Sequence, residues 1–163
     1  MTAEKGIEIV EVPRNERTNL KPILQESFEG LYLWHSKRTL QDVDIVRAAI
    51  LSGAPVGLIM LKTLEQGVGY VFYVAVAKAH RGMGVAGLLL RDALNRFRAA
   101  GVAEAFASVE EDNTPSEKLF REEGFVRTSL GEVSKRHGPV HALNMYRIMV
   151  VVPGEILLHR TLR

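Results

Sequence analysis

Residues 69–87 read GYVFYVAVAKAHRGMGVAG, and this stretch decides the fold. Its first part, Gly69 to Ala77, is rich in β-branched and aromatic residues and predicts a central strand buried on both faces. Glycines follow at 82, 84 and 87. From Val85 to Ala100 the apolar residues then recur on one broad helical face, and Gly101 is a typical C-terminal stop. The stretch therefore predicts a strand, a glycine-rich turn and a helix.

The glycine-rich turn, His80 to Gly87, favours a phosphate-binding site. Glycine lets the backbone approach a ligand closely, and the first N–H groups of a helix lack intrahelical partners and carry a partial positive charge. The same glycines would also permit a tight connection that binds nothing. We take phosphate binding as the better interpretation, because the glycines stand between a strand and a helix.

The segment from Gly82 to Gly87 also matches the dinucleotide fingerprint G-x-G-x-x-G, and Glu110 and Glu111 lie at about the distance expected of a ribose-binding acid. Four residues separate the strand from the first glycine, however, and the remaining chain is too short for a full doubly wound domain. A dinucleotide-binding oxidoreductase is therefore the weaker hypothesis. A Walker A loop is excluded, because neither Lys-Ser nor Lys-Thr follows the last glycine.

The flanking segments predict an α/β or α+β fold around a mixed sheet. Leu31 to Leu40 is open between a loop and a short helix, and residues 129–142 are expected to form a polar loop. Thr114, Pro115 and Glu117 predict a helix N-cap with a capping box. The remaining expected strands are Ile7–Val12, Val46–Leu51, Val56–Leu61, Ala103–Val109, Phe125–Thr128 and Leu143–Val152, and the remaining expected helix is Leu20–Phe28, which Gly30 ends.

Composition narrows the class of protein. The chain has 163 residues, 47% hydrophobic and 25% charged, with 21 Lys+Arg against 19 Asp+Glu and no cysteine. Disulfides, cysteine metal sites and thiol nucleophiles are thereby excluded. The weak basic bias gives no case for nucleic acid, and no apolar run is long enough for a membrane span. We expect one domain over residues 1–163, located in the cytoplasm.

Two motifs together carry a family resemblance. The first is Arg81-x-x-Gly84-x-Ala86, directly after the predicted central strand. The second is residues 113–125, NTPSEKLFREEGF. In this order, joined by a helix and a strand, they resemble the cofactor signature and the Asn…Leu-aromatic…Gly-Phe element of the GCN5-related N-acetyltransferase (GNAT) family. The resemblance implies a mixed, mostly antiparallel central sheet flanked by helices.

The same resemblance implies acetyl-CoA as donor and direct transfer to an amine without an acyl-enzyme. Backbone groups of Val74, Ala75 and Val76 would then face the pantetheine arm and the acetyl group. Asn113 would lie near the pantetheine. The residues expected to wrap the pyrophosphate are Arg81, Gly82, Met83, Gly84, Val85, Ala86 and Gly87.

The family's usual acid and base are missing from their positions. Many members carry a tyrosine acid where this chain has Phe120, and a glutamate base would fall at about Ser108. Two pairs of residues are candidate substitutes. Tyr73 and Tyr70 lie on the predicted central strand, and Glu110 and Glu111 follow the next strand. We take Tyr73 and Glu110 as the candidate catalytic residues, and backbone N–H groups of the central strand as a further way to polarise the carbonyl.

The leading hypothesis is an N-acetyltransferase acting on a primary amine of a small molecule or peptide. A non-catalytic acyl-CoA-binding or sensing module on the same fold is the alternative. Acceptor specificity is expected in residues 31–40, which include Trp34 and His35, and in residues 128–142. His137 and His141 have metal-like spacing, but Gly138-Pro139 interrupts any helix between them, so no metal is assigned. A homodimer is possible.

Overall fold

The computed structural model describes residues 6–64, 67–149, 151 and 153–162. Within these ranges the chain forms seven strands and six α-helices. In chain order the elements are β1 Ile7–Glu11, α1 Lys21–Ser27, α2 Gly30–Asp42, β2 Ile45–Leu51, β3 Ala54–Leu64, β4 Val68–Val76, α3 Val85–Ala99, β5 Glu104–Glu110, α4 Thr114–Glu122, β6 Val126–Thr128, α5 Leu130–His137, α6 Pro139–Met149 and β7 Glu155–Thr161.

The strands form one mixed sheet in the order β1-β2-β3-β4-β5-β7-β6. Four neighbouring pairs, β1/β2, β2/β3, β5/β7 and β6/β7, are antiparallel. Ser52 and Gly53 join β2 to β3, and both have positive φ, 52° and 80°. That conformation is typical of the two-residue hairpin turn whose twist matches its strands. The predicted mixed, mostly antiparallel sheet flanked by helices is confirmed.

The described residues fall into two compact units. The first comprises the chain up to residue 62 together with residues 71–96, and the second comprises residues 63–70 and those from 97 on. In the first unit α1, α2 and the strands bury a shared apolar core that includes Leu24, Leu40, Val46, Leu58 and Met60, each fully buried. None of the helices described is both long and apolar enough to cross a membrane.

A glycine sets how closely α3 packs on β3 in the first unit. A Cβ added at Gly57 would lie 3.0 Å from Val85 Cγ1, 3.1 Å from Leu89 Cδ1 and 3.2 Å from the Ala75 carbonyl oxygen. The absence of a side chain therefore lets the first turns of α3 lie against the strand. Arg47 on β2 holds the same helix through a two-pronged ion pair with Asp92. These contacts fix the N-terminal half of α3.

A buried arginine, Arg17, fixes the chain after α2. The residue is 3% exposed, and its guanidinium donates to the carbonyl oxygens of Leu40 (3.0 Å), Val43 (2.7 Å) and Asp44 (3.2 Å). The last carbonyls of a helix have no intrahelical partner, so the arginine satisfies groups that would otherwise be buried unpaired. Residues 31–40, for which the sequence left a loop and a short helix open, lie in the 13-residue helix α2. Gly30 is the first residue of that helix and does not end α1, as the sequence had predicted.

The second unit departs from the sequence prediction between β6 and β7. Residues 129–142 form no polar loop but contain α5 and the start of α6. Of the expected strand Leu143–Val152, residues 143–149 belong to α6 instead, and residues 150 and 152 lie outside the described residues. The seventh strand is instead Glu155–Thr161, which pairs with both β5 and β6. We name residues 129–154 the helical insertion. The prediction failed because residues 143–152 are rich in apolar side chains, and that composition fits a strand as well as a helix.

The start of α4 is also shifted from its prediction. The N-cap is Asn113, whose Oδ1 accepts a hydrogen bond from the Ser116 N–H at 3.3 Å, so Thr114 is already helical. Glu117 forms no capping box. Its carboxylate accepts instead from Arg121 (2.9 Å) and Arg127 (2.8 and 2.9 Å). The hydrogen bonds from Arg127 and Arg121 lower the pKa of Glu117 to about 2, so this cluster stays ionised at neutral pH.

Candidate functional site

The glycine turn, residues 80–87, has an open backbone in the first unit. Gly82 (φ 76°) and Gly84 (φ 83°) adopt left-handed conformations, and a Cβ at either position would meet no atom within 4 Å. The Gly84 carbonyl accepts from the Leu88 N–H at 3.1 Å, so Gly84 closes the first turn of α3. The positive end of the helix dipole and the first N–H groups of α3 therefore lie beside uncovered backbone. This arrangement suits an anion such as a diphosphate.

Arg81 anchors the turn rather than presenting its charge to the open side. Its Nε donates to the Val76 carbonyl at 3.1 Å, and its Nη2 donates to the Glu26 carbonyl at 2.9 Å and to Ser27 Oγ at 3.3 Å. The Lys78 N–H meanwhile donates to Glu26 Oε2 at 2.9 Å. The guanidinium is thus engaged with the C-terminal end of α1 through Nη2.

The other predicted cofactor residues of this unit lie around the turn. Val74 and Val76 are half-buried and Ala75 is 3% exposed at the end of β4, which leads into the turn through a short 3-10 segment. The Ala77 N–H is held by the Val56 carbonyl at 2.8 Å. Met83 is exposed at the tip of the turn. The structure brings residues 74–76 and 81–87 together as a strand end and the helix start that follows it.

Tyr73 on β4 faces a histidine from α2. Its hydroxyl lies 3.0 Å from His35 Nδ1, and its ring packs edge-on against Phe28 with centroids 5.2 Å apart. The Thr39 hydroxyl donates to the His35 carbonyl at 2.8 Å while its oxygen lies 3.4 Å from His35 Nδ1. With its proton already donated, Thr39 can only accept from the ring. His35 Nδ1 donates to or accepts from the Tyr73 hydroxyl according to the tautomer of the ring.

With a proton on Nδ1, His35 donates to the hydroxyl oxygen of Tyr73, and without one it accepts from the Tyr73 hydroxyl. Trp34 lies beside His35 but is 56% exposed and carries the Arg38 guanidinium over its ring at 5.5 Å. Of the two predicted acceptor-site residues, only His35 contacts a candidate catalytic group.

In the second unit, Glu110 ends β5 with its side chain exposed, directly opposite Glu155 of β7 in the antiparallel register. Two positions later the chain turns into α4, where the Asn113 N–H donates to the Glu110 carbonyl at 3.0 Å. The side-chain oxygen of Asn113 caps α4. Glu110 and Asn113 are thus brought together at one end of the unit by a single turn.

The two positions at which the family's acid and base were expected are occupied by structural contacts. Ser108 Oγ is hydrogen-bonded to the Tyr70 hydroxyl, 2.5 Å away, and Tyr70 is only 2% exposed. Phe120 is 5% exposed and packs edge-on against Phe125 with ring centroids 5.1 Å apart. Tyr70 is therefore a poor candidate acid, which leaves Tyr73 as the better of the two tyrosines.

A buried carboxylate that sequence reasoning missed anchors the helical insertion. Glu104 is 8% exposed and accepts from Arg136 Nη1 at 2.6 Å, from His159 Nε2 at 2.9 Å and from His137 Nε2. Burial raises the pKa of Glu104, but the hydrogen bonds from His159, His137 and Arg136 together lower it to about 2. Gly138 separates His137 from α6, and among the residues described no group of three or more histidine or acidic side chains has an arrangement that could hold a metal ion.

Comparison with known proteins identifies the fold and family. The acetyltransferase (GNAT) family model matches residues 13–125. No curated protein matches the chain. Among solved structures, the chain resembles the ribosomal-protein-S18-alanine N-acetyltransferase from Escherichia coli, with 12% identity, a TM-score of 0.71 and coverage of 96% of this chain and 94% of that one.

Two further structures are similar over their whole length. The PaiA N-acetyltransferase from Thermoplasma acidophilum, in complex with coenzyme A, has 15% identity, a TM-score of 0.71 and coverage of 95% of this chain and 98% of that one. The IAA acetyltransferase from Bacillus cereus has 17% identity, a TM-score of 0.69 and coverage of 95% and 99%. At such identities these likenesses establish the fold.

Proposed function

Since the chain belongs to the acetyltransferase (GNAT) family, we propose that it transfers an acetyl group from acetyl-CoA directly to a primary amine of a small molecule or peptide. The observation that carries the proposal is the glycine turn. Gly82 and Gly84 leave the backbone beside the start of α3 uncovered, and a diphosphate is the part of acetyl-CoA that such a helix end binds best. Val74, Ala75 and Val76 would then line the thioester arm, with Asn113 near the pantetheine.

In the proposed reaction Glu110 takes a proton from the ammonium form of the acceptor. The neutral amine nitrogen attacks the thioester carbonyl carbon, so a C–N bond forms while the C–S bond breaks, and the nitrogen releases its second proton to solvent as the amide forms. The sulfur leaves with the bonding electron pair and takes a proton from the Tyr73 hydroxyl. The Nδ1–H of His35 holds the resulting tyrosinate, 3.0 Å away, until a proton returns from solvent.

One observation favours a second function, a non-catalytic acyl-CoA-binding module. Phe120 and Ser108 occupy the usual acid and base positions with side chains committed to packing and to Tyr70. Such a module would bind acetyl-CoA at the same glycine turn and transfer nothing.

Release of free thiol from acetyl-CoA, measured with and without a panel of primary amines, separates the two functions. Transfer predicts amine-dependent thiol release with an acetylated amine appearing in equal amount by mass spectrometry. Thiol release that no amine accelerates, in a protein that binds acetyl-CoA, would exclude the transferase and support the binding module.

A further inference from the structure

The last residues of α1 lie against the connection between β4 and the glycine turn. That connection is a short 3-10 helix, Lys78–His80, which leads directly into Arg81. The Lys78 N–H donates to Glu26 Oε2 at 2.9 Å, and Arg81 Nη2 donates to the Glu26 carbonyl at 2.9 Å. Glu26 therefore holds both ends of the connection, one through its side chain and the other through its backbone.

Arg81 supplies the end of α1 with a positive charge that the helix itself lacks. No basic residue lies in the last turn of α1, and the last carbonyl groups of a helix have no intrahelical partner. The guanidinium donates to one of them, that of Glu26, and to Ser27 Oγ at 3.3 Å. The Ser27 hydroxyl donates its proton to the Ile23 carbonyl at 3.0 Å, so its oxygen is the acceptor toward Arg81. Both contacts stabilise the C-terminal end of α1.

The carboxylate of Glu26 is not explained by the stability of α1. The C-terminal end of a helix carries a partial negative charge, so an acidic side chain there is electrostatically disfavoured. What this side chain gains is the hydrogen bond from the Lys78 N–H, a charge-assisted bond to a backbone group outside its own helix. The contact therefore serves the connection to the glycine turn rather than the helix that carries it.

The glycine turn depends on such a support because its own backbone is uncovered. Gly82 and Gly84 both adopt left-handed conformations, and a Cβ at either position would meet no atom within 4 Å. Glycine has a wide choice of backbone conformations, so two glycines in an uncovered segment permit many alternatives to the observed one. A ligand that binds only one conformation has an apparent affinity reduced by the fraction of molecules that adopt it. Contacts that fix the start of the turn therefore raise the affinity of the site.

We propose that Glu26 is a positioning residue for acetyl-CoA binding. Its carboxylate holds the Lys78 N–H, and this hydrogen bond keeps the glycine turn in the conformation that receives the diphosphate. The inference rests on the proposed function, which makes acetyl-CoA the ligand of the turn. In this role Glu26 does not touch the phosphates, because a carboxylate repels a diphosphate, and it acts on affinity through the backbone of residues 78–84.

The sign of the effect separates this role from a purely electrostatic one. Removing a negative charge near an anionic ligand strengthens binding, whereas removing a support of the turn weakens it. In a calorimetric titration with acetyl-CoA at neutral pH, we expect Glu26→Ala to bind about tenfold more weakly than the wild type, the effect of one lost charge-assisted hydrogen bond. Glu26→Gln keeps an acceptor for the Lys78 N–H and should bind within about threefold of the wild type.

Glu29→Ala is the matched control. It removes the same charge from the next segment of the chain, where the Glu29 side chain is exposed and makes no capping hydrogen bond to α2. We expect its acetyl-CoA affinity to equal that of the wild type. In steady-state assays Glu26→Ala should raise the KM for acetyl-CoA and leave kcat unchanged, which is the opposite of the pattern expected when a catalytic acid is removed.

Amide hydrogen exchange, followed by NMR, measures the support of the turn without any ligand. The Lys78 N–H is protected while it donates to Glu26. Its exchange should therefore be at least about tenfold faster in Glu26→Ala than in the wild type or in Glu29→Ala. This readout does not depend on acetyl-CoA binding or on transfer.

The outcomes separate this inference from the proposed function. Weaker acetyl-CoA binding and faster Lys78 exchange in Glu26→Ala, with neither in Glu29→Ala, support the inference. Equal affinities of these two variants, or tighter binding by Glu26→Ala, overturn it and leave the acetyltransferase intact. Unchanged exchange of the Lys78 N–H in Glu26→Ala also overturns it. A wild type that binds no acetyl-CoA, with faster exchange in Glu26→Ala, supports the contact that holds the turn and overturns the proposed function.

Discussion

The glycine turn and the helical insertion are built in opposite ways. The turn places uncovered backbone at the start of α3, with Gly82 and Gly84 in left-handed conformations. Arg81 holds the turn by donating to the carbonyl oxygens of Val76 and Glu26. The insertion presents side chains and is held by a buried carboxylate, Glu104, that joins α5 to two strands.

This difference determines what each region can recognise. A site made of backbone N–H groups recognises a shape and a charge that many ligands share, such as a diphosphate. A site made of side chains recognises one ligand and changes when the side chains change. We therefore expect substitutions that add a side chain to weaken ligand binding at the glycine turn. We expect substitutions that remove side-chain groups to destabilise the helical insertion.

The largest effect is expected from Glu104→Gln, which breaks the anchor of the insertion. It leaves Arg136 and His137 without their carboxylate, and we expect the free energy of unfolding to fall by about 3 kcal/mol in urea denaturation at pH 7. Glu132→Gln, exposed on the same helix, should cost less than about 0.5 kcal/mol. Equal losses in the two variants would show that Glu104 is no anchor.

The same variant has a pH signature. Because the pKa of Glu104 is lowered from 4.5 to about 2 in the folded protein, its contribution is complete above pH 4.5 and is lost as the pH falls toward 2. The wild type should lose stability across that interval more steeply than Glu104→Gln. Parallel profiles would mean that the carboxylate is not held as the structure shows.

A second prediction concerns the strand that leads into the glycine turn. Tyr73→Phe removes the proposed acid while keeping the ring contact with Phe28, so kcat should fall about a hundredfold with little change in KM for acetyl-CoA. His35→Asn, which retains a donor near the Nδ1 position, should keep more activity than His35→Leu. An unchanged kcat in Tyr73→Phe would remove Tyr73 from the mechanism.

A smaller effect compares two glycines with the same conformation. Gly84 (φ 83°) and Gly53 (φ 80°) both have open space where a Cβ would lie, so alanine at either should cost about 1 kcal/mol of stability through backbone strain alone. Only Gly84→Ala should also weaken acetyl-CoA binding, because only Gly84 borders the proposed diphosphate site. Equal acetyl-CoA affinities in the two variants would show that the glycine turn does not contact acetyl-CoA.

The same contrast explains what could be predicted from the sequence. The strand, turn and helix around residues 69–87 could be predicted because each depends on residues close together in the sequence. A continuous apolar run indicates a strand buried on both faces, and glycines indicate the turn and the end of the helix. The structure places β4 at Val68–Val76 and α3 at Val85–Ala99, within a residue of the prediction. The cofactor-binding residues themselves remain predictions.

The insertion could not be predicted in this way, because the contacts that fix it are distant in sequence. Glu104 meets His159 across 55 positions, and nothing near either residue indicates the other. The apolar residues of Leu143–Val152 are compatible with a strand as well as with α6 until their packing is known. The pairing of Tyr73 with His35, 38 positions apart, was missed for the same reason.

The most direct measurement is a calorimetric titration of acetyl-CoA into the wild type and into Gly84→Glu. The open backbone at the start of α3 predicts saturable binding of one acetyl-CoA per chain to the wild type, and at least a hundredfold weaker binding to the variant, whose added carboxylate would repel the diphosphate. No binding to the wild type at high micromolar acetyl-CoA, or the same affinity in both proteins, would contradict the account.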